Sequence, residues 1–486
     1  MDALPTEIIR NICKQLCFHC QHPGVFPNAD SNDVRQCKRA LARLCTASRK
    51  LCAIAQPIFH HYFATGNLPA DAGLDHRHMT TASFEDDKLP VFIQALMKRP
   101  DMASQIRALQ MVDSDVVNEP WSHAICAAMK EYGIEPLEQH ALGRRVDAMA
   151  KHCALEQLAI ALCPNLEMLL VAHTAVSRFV WNSNVALPHL RSLAIRGHSG
   201  QYYLSEATAL IAAAKNLETL YLLDCSQFMG WRHVFDPSLE FVLANLRRLV
   251  INGIRAEHLE KILSGCGQLE DLEYYQQTVA GIWNVTEVMR SFAPVQSTLR
   301  RLYFACLPMA ASSINFIDGD QEAGRDQSQS QYYVEDALKV AYDTSAIEQL
   351  RHFTLLEELG IDQASMYSPP SFDPEVNPGR LARMLPPAVK KVRIMYVYRG
   401  MAIDLHMLGH QAAGRPTKLR HIRLGEAESL LPYRIRGVQQ MKRIDTIPTG
   451  TGAITVSWTT DRAGADVRTR IPGGTVHPNV IPCPVD

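Results

Sequence analysis

The sequence predicts an α/β solenoid preceded by a separate helical module of about sixty residues. Three observations carry this expectation. One six-residue template, an aliphatic residue, two others, an aliphatic, one other and an apolar residue, returns ten times from residue 106 onward. Helix-forming stretches such as SEATALIAAAKN lie between templates. The opening residues instead carry two apolar stripes at helical spacing.

In LPTEIIRNICKQLC, Pro5 suits a first helical turn, where its missing N–H costs nothing, and Glu7 sits well against the positive end of the helix dipole. Ile8, Ile9, Ile12, Cys13, Leu16 and Cys17 then cover roughly half the helix circumference. A second stretch places Leu41, Leu44, Cys45, Ser48, Leu51, Cys52 and Ala55 on a stripe about a third of the circumference wide. Pro57 is expected to end that helix, with Ile58, Phe59, Tyr62 and Phe63 forming a short third one. Three short helices cannot hide all these side chains among themselves. Something else must cover the surplus.

The run Leu4-Pro5-x-Glu7-Ile8-Ile9-x-x-Ile12-x-x-x-Leu16, followed by Leu41-x-x-Leu44-Cys45-x-x-Ser48-x-x-Leu51 and Ala55-x-Pro57-Ile58-Phe59, resembles the F-box over about residues 3 to 63. The resemblance implies a three-helix domain that docks on the Skp adaptor of cullin-based ubiquitin ligases. The implied adaptor contacts are Leu4, Pro5, Ile8, Ile9, Ile12 and Leu16, with Leu44 and Leu51. The chain departs from the family by lacking a Trp in SRKLC and by the insert CFHCQHPGVFPNADSNDVRQC, which is longer than the usual connection and resembles the longer version found in F-box proteins of filamentous fungi.

The insert region supplies Cys13, Cys17, His19, Cys20, His22 and Cys37, ligand types enough for tetrahedral zinc. The spacing C-x3-C-x2-C is not a standard zinc pattern, and His60-His61 reads as a helix-end pair. The cysteines are therefore expected to act as small buried apolar groups, with no metal and no cofactor.

The templates are IRALQM (106–111), LEMLLV (166–171), LRSLAI (190–195), LETLYL (217–222), LRRLVI (246–251), LEDLEY (269–274), LRRLYF (299–304), LRHFTL (350–355), VKKVRI (389–394) and LRHIRL (419–424). Central start-to-start intervals of 24, 27, 29, 23 and 30 residues resemble leucine-rich repeats. A unit of strand plus helix cannot bury its apolar side alone, so stacking supplies the core. The Asn of regular repeats is missing, which implies an irregular array. A doubly wound sheet would instead show near-continuous apolar strands.

The expected organisation is an F-box-like helical domain over 1–65, a linker and N-terminal cap over 66–104, an irregular leucine-rich-repeat solenoid over 105–430, and a C-terminal cap or tail over 431–486. Polar 314–333 and Pro-rich 366–380 interrupt the array as loops. A degenerate repeat is expected within 121–160. AITVSW and DVRTRI are expected to pair as a terminal hairpin.

A formal charge of −1 offers no basic field for nucleic acid or an anionic membrane. No window has the ~18 uninterrupted apolar residues of a membrane helix, and the irregular cysteine set fits a reducing cytoplasmic or nuclear setting. Gly197-His198-Ser199-Gly200 fails the nucleophile-elbow spacing, and there is no P-loop or H-E-x-x-H motif. The expectation is a non-catalytic substrate receptor of a Skp/cullin/F-box ligase. Its protein substrate would contact the strand face at Arg196, Tyr221, Arg248, Asn252, Asp271, Glu273, Tyr275, Arg301 and Tyr303, since Tyr and Arg often dominate interfaces. The alternative is a non-ligase scaffold whose N-terminal helices only cap the solenoid.

Overall fold

The computed structural model describes residues 4–24, 26, 32–65, 89–112, 123–134, 144–172, 181, 183–196, 204–223, 241, 243–252, 254, 256–278, 285–308, 345–367, 379–397, 401–414, 418–427, 446–449 and 452–461. The fold is mixed α/β, with strands that are mostly parallel, and is compatible with the expected α/β solenoid. Two compact units are present, Met1–Val242 with Val467–Asp486, and Leu243–Asp466. Their division falls inside the span 105–430 expected as one array.

The first unit opens with helices α1 (Thr6–Gln15), α2 (Phe18–Gln21), α3 (Asn32–Ala47) and α4 (Arg49–Phe59). Three expectations need correction here. The second apolar stripe is divided between α3 and α4, because Ser48 leaves the helical conformation and its hydroxyl accepts the Leu51 N–H at 3.2 Å as an N-cap. Pro57 does not stop α4, which runs on to Phe59. Tyr62 and Phe63, expected in a third helix, instead open strand β1 (Tyr62–Ala64).

Strand β1 pairs in parallel with β2 (Ala108–Val112), followed by β3 (Met168–Ala172), β4 (Ser192–Arg196) and β5 (Thr219–Leu223). Helices α5 (Leu89–Lys98) and α6 (Pro100–Ala103) precede β2. The span expected to hold a degenerate repeat carries helices α7 (His123–Glu131) and α8 (Arg144–Ala161) among its described residues. Helix α9 (Leu204–Ala213) takes in most of SEATALIAAAKN and starts one residue before it.

The second unit lays β6 (Arg248–Asn252), β7 (Asp271–Thr278), β8 (Arg301–Pro308) and β9 (Glu358–Asp362) side by side in parallel, with helices α10 (Ala256–Ser264) and α11 (Val285–Ser291) after β6 and β7. Strands β10 (Lys391–Val397), β11 (His421–Ala427) and β13 (Gly452–Asp461) continue the order. Strand β12 (Thr446–Thr449) pairs antiparallel with β13. AITVSW therefore takes its hairpin partner from the chain before it; DVRTRI lies outside the described residues, as does 314–333 and most of 366–380.

Template aliphatics form the core. Leu169, Leu193, Leu220, Leu249, Leu272 and Leu302 are fully buried, each contributing roughly 1.5–3 kcal/mol by its removal from water. One template was misplaced by six residues. The first half of LRHFTL lies in a 3-10 helix, Ser345–His352, and Leu355 is exposed, whereas LEELGI (356–361) leads into β9 with Leu356, Leu359 and Ile361 buried.

Candidate functional site

Helix α1 carries two apolar rows, each repeating every fourth residue. The inner row, Ile9, Cys13 and Cys17, is buried with Leu41, Leu51, Ala55 and Ile58 in one cluster. The outer row starts before the helix at Leu4, 37% exposed, and continues through Ile8, 47% exposed. Pro5 beside it is exposed as well. Ile12 and Leu44 are half-buried, and Leu16 packs against the cluster from its edge. Lys50 donates to the Leu4 carbonyl at 3.0 Å and holds the outer row's start against α4. Of the eight expected adaptor contacts, Ile9 and Leu51 thus serve the module's interior. Leu4, Pro5 and Ile8 form its open apolar edge.

Two groups stand out among the described cysteines. Cys13, Cys163 and Cys266 are buried, and burial pushes their thiols up, that of Cys266 to about 12. These behave as the sequence leads one to expect. Cys17 and Cys20 do not. Cys17 Sγ lies 3.8 Å and Cys20 Sγ 3.4 Å from Nδ1 of His61, and the His19 and His61 rings meet edge to face. A hydrogen bond from Cys20 is the main cause that lowers the Cys17 thiol to about 7, against the opposing effect of burial. The same hydrogen bond, with burial, raises Cys20. Lys38 Nζ donates to the Tyr62 carbonyl at 2.9 Å. Burial brings that amine down to about 8, and the Cys17 charge pulls the other way. His61 follows α4 in the turn into β1, 41 residues from Cys20, so spacing within the insert could not reveal it.

In the second unit the strand openings form a charge ladder. Arg248, Asp271, Arg301, Glu358 and Lys391 stand in register on successive strands. Arg248 contacts Asp271 at 3.5 Å and Glu273 at 2.9 Å, and Arg301 contacts Asp271 at 3.0 Å. Lys391 contacts Glu358 at 2.9 Å, and the Tyr303 hydroxyl donates to Glu358 at 3.2 Å. Tyr303 is registered beside Gly360, where any Cβ would run into its ring.

The expectation that these strand residues face outward as a group is corrected. Tyr221 is 1%, Asp271 4% and Glu273 3% exposed. Parallel strands are commonly covered on both faces, and the two acids are closed over by Arg248 and Arg301. Arg301 is exposed, while Arg248 and Tyr303 are half-buried. Arg196, Asn252 and Tyr275 have strand backbones, but their side chains lie outside the described residues. The sequence motif reading missed Glu358 and Lys391, whose cross-strand pairing follows only from correct placement of β9.

No protein-family model matches the chain. No curated protein matches it significantly. Among the described residues, no helix is long and apolar enough to cross a membrane.

Proposed function

We propose that the chain is a substrate-recognition subunit of a Skp/cullin/F-box ubiquitin ligase, acting in the cytosol or nucleus. The observation that supports this best is the outer row of α1. Leu4 and Ile8 remain exposed while the neighbouring Ile9 row is fully used inside the module. Apolar side chains placed on a helix edge with no internal role suit docking on another protein, and the resemblance to the F-box names the Skp adaptor as that protein. Burying the exposed parts of Leu4 and Ile8 contributes roughly 1–3 kcal/mol, a useful share of an interface whose remaining contacts come from the partner's groove.

The repeat units hold the protein substrate on this reading, with Arg301 and Tyr303 as accessible contacts in the second unit. The chain contributes no bond-making group. Its mechanism is proximity: a tethered substrate lysine meets the charged conjugating enzyme at a raised effective concentration.

A second reading keeps the repeats as a scaffold and gives the helices only a capping role. It draws on β1, which continues directly from α4 and pairs with β2. Affinity purification of the tagged chain from its host with the proteasome blocked separates the two. The receptor reading expects the Skp adaptor and a cullin in the eluate, together with ubiquitin-modified proteins. An eluate with neither adaptor nor cullin leaves the capping reading in place.

A further inference from the structure

We propose that Cys17, His19, Cys20 and His61 hold a structural zinc ion that pins the end of α1 to the first strand of the repeats. This inference stands apart from the ligase reading and survives its failure. Among the described residues, these four bring one ligand atom each to within 4.8 Å of one another. A tetrahedral site with zinc–sulfur bonds of about 2.3 Å and zinc–nitrogen bonds of about 2.0 Å has ligand-to-ligand edges of roughly 3.3–3.8 Å. The Cys20–His61 and Cys17–His61 separations, 3.4 and 3.8 Å, already have that length.

Two further features point to a metal rather than to packing. His19 Nδ1 is buried without a hydrogen-bond partner, whereas its Nε2 stands 3.4 Å from Glu167 Oε2. Nδ1 is therefore the atom available to a metal, and Glu167 takes the place of the outer carboxylate that orients zinc-bound imidazoles. Glu167 is itself held by Arg107 at 3.4 Å. The second feature is charge. Binding displaces one proton from each thiol to solvent, and two thiolates with two neutral imidazoles leave Zn²⁺ neutralised. Two sulfurs and two nitrogens in a tetrahedron select zinc over the oxygen-seeking cations.

Chain positions explain the site's use. Cys17 precedes the single turn of α2, His19 and Cys20 lie within it, and His61 stands just before β1. Glu167 immediately precedes β3. The ion would join two segments of the helical module and, through Glu167, fasten them to the strands of the same unit.

The test uses the full-length chain, expressed with zinc supplied and purified under reductant. Elemental analysis is expected to find about one zinc ion per chain, and cobalt in its place should give the absorption bands of a tetrahedral site with thiolate ligands. A strong chelator should lower the melting temperature of the wild type. Glu167→Gln should weaken metal binding roughly 10–100-fold, and Cys17→Ser with Cys20→Ser should abolish it. Folded wild-type chain that takes up neither zinc nor cobalt overturns the proposal, as does undiminished metal content in the double variant. If the double variant does not fold, the wild-type cobalt spectrum decides: octahedral bands, or none, reject the site.

Discussion

The helical module and the strand ladders differ in how completely they satisfy themselves. In the second unit Arg248, Asp271, Arg301, Glu358 and Lys391 at the strand openings each meet an opposite charge on a neighbouring strand, and the strand leucines Leu249, Leu272, Leu302 and Leu359 are buried. In the module, one row of α1 is consumed by the core, while Leu4 and Ile8 at the start of the adjacent row are left exposed. A surface that closes on itself supports a fold. A surface with an unused apolar edge is what the proposed docking rests on. The difference teaches that Tyr221, Asp271 and Glu273, expected as contacts, are architectural, and that the open apolar edge lies in the first sixteen residues.

Substitutions can break or sharpen that contrast. The largest effect is expected in the strand core: Leu302→Ala should cost about 2–5 kcal/mol in chemical denaturation, through lost burial and the cavity left behind. Gly360→Ala comes next. Its methyl meets the Tyr303 ring, and overpacking of this kind costs about 1–3 kcal/mol; adding Tyr303→Ala should recover most of the loss in a double-mutant cycle.

Lys390→Ala should cost less than about 1 kcal/mol, because the Lys390–Glu357 pair is half-exposed and screened by salt. Its hydrogen bond to Lys390 holds the Glu357 carboxyl below the usual range. A depressed carboxylate stabilises the fold above its unfolded pKa and loses that contribution as pH falls through the folded value. The difference between Lys390→Ala and wild type should therefore shrink on acidification below the ordinary carboxylate range. Ile8→Asp should have the smallest effect on stability, near zero, although Ile9→Asp one residue on should unfold the module.

Much of this arrangement was legible in the residues. Nine templates located strands β2 to β8, β10 and β11, and the doubled stripe of α1 announced apolar surface beyond what three helices can hide. The error at LRHFTL is instructive. The second residue of successive templates reads Arg107, Glu167, Arg191, Glu218 in the first unit and Arg247, Glu270, Arg300 in the second. An acid is due next, and LEELGI supplies Glu357 where LRHFTL supplies Arg351. The structure pairs these residues as Arg107–Glu167, Arg191–Glu218, Arg247–Glu270 and Arg300–Glu270. Cross-strand charge preference would have chosen the register that aliphatic spacing alone left ambiguous. The Cys/His group was beyond such reading, because His61 reaches Cys17 and Cys20 only after α3 and α4 have folded back. The burial of Tyr221 and Glu273 was hidden for a related reason: a strand's own sequence does not say whether its second face is covered.

The claim that the outer row of α1 is a docking edge is tested most directly by titrating purified Skp adaptor into the full-length chain and into Leu4→Asp with Ile8→Asp, measuring Kd by calorimetry. The account predicts binding to the wild type and a loss of at least about tenfold in the variant, with its melting temperature unchanged. Equal affinity in both, or no binding to a folded wild type, would contradict it.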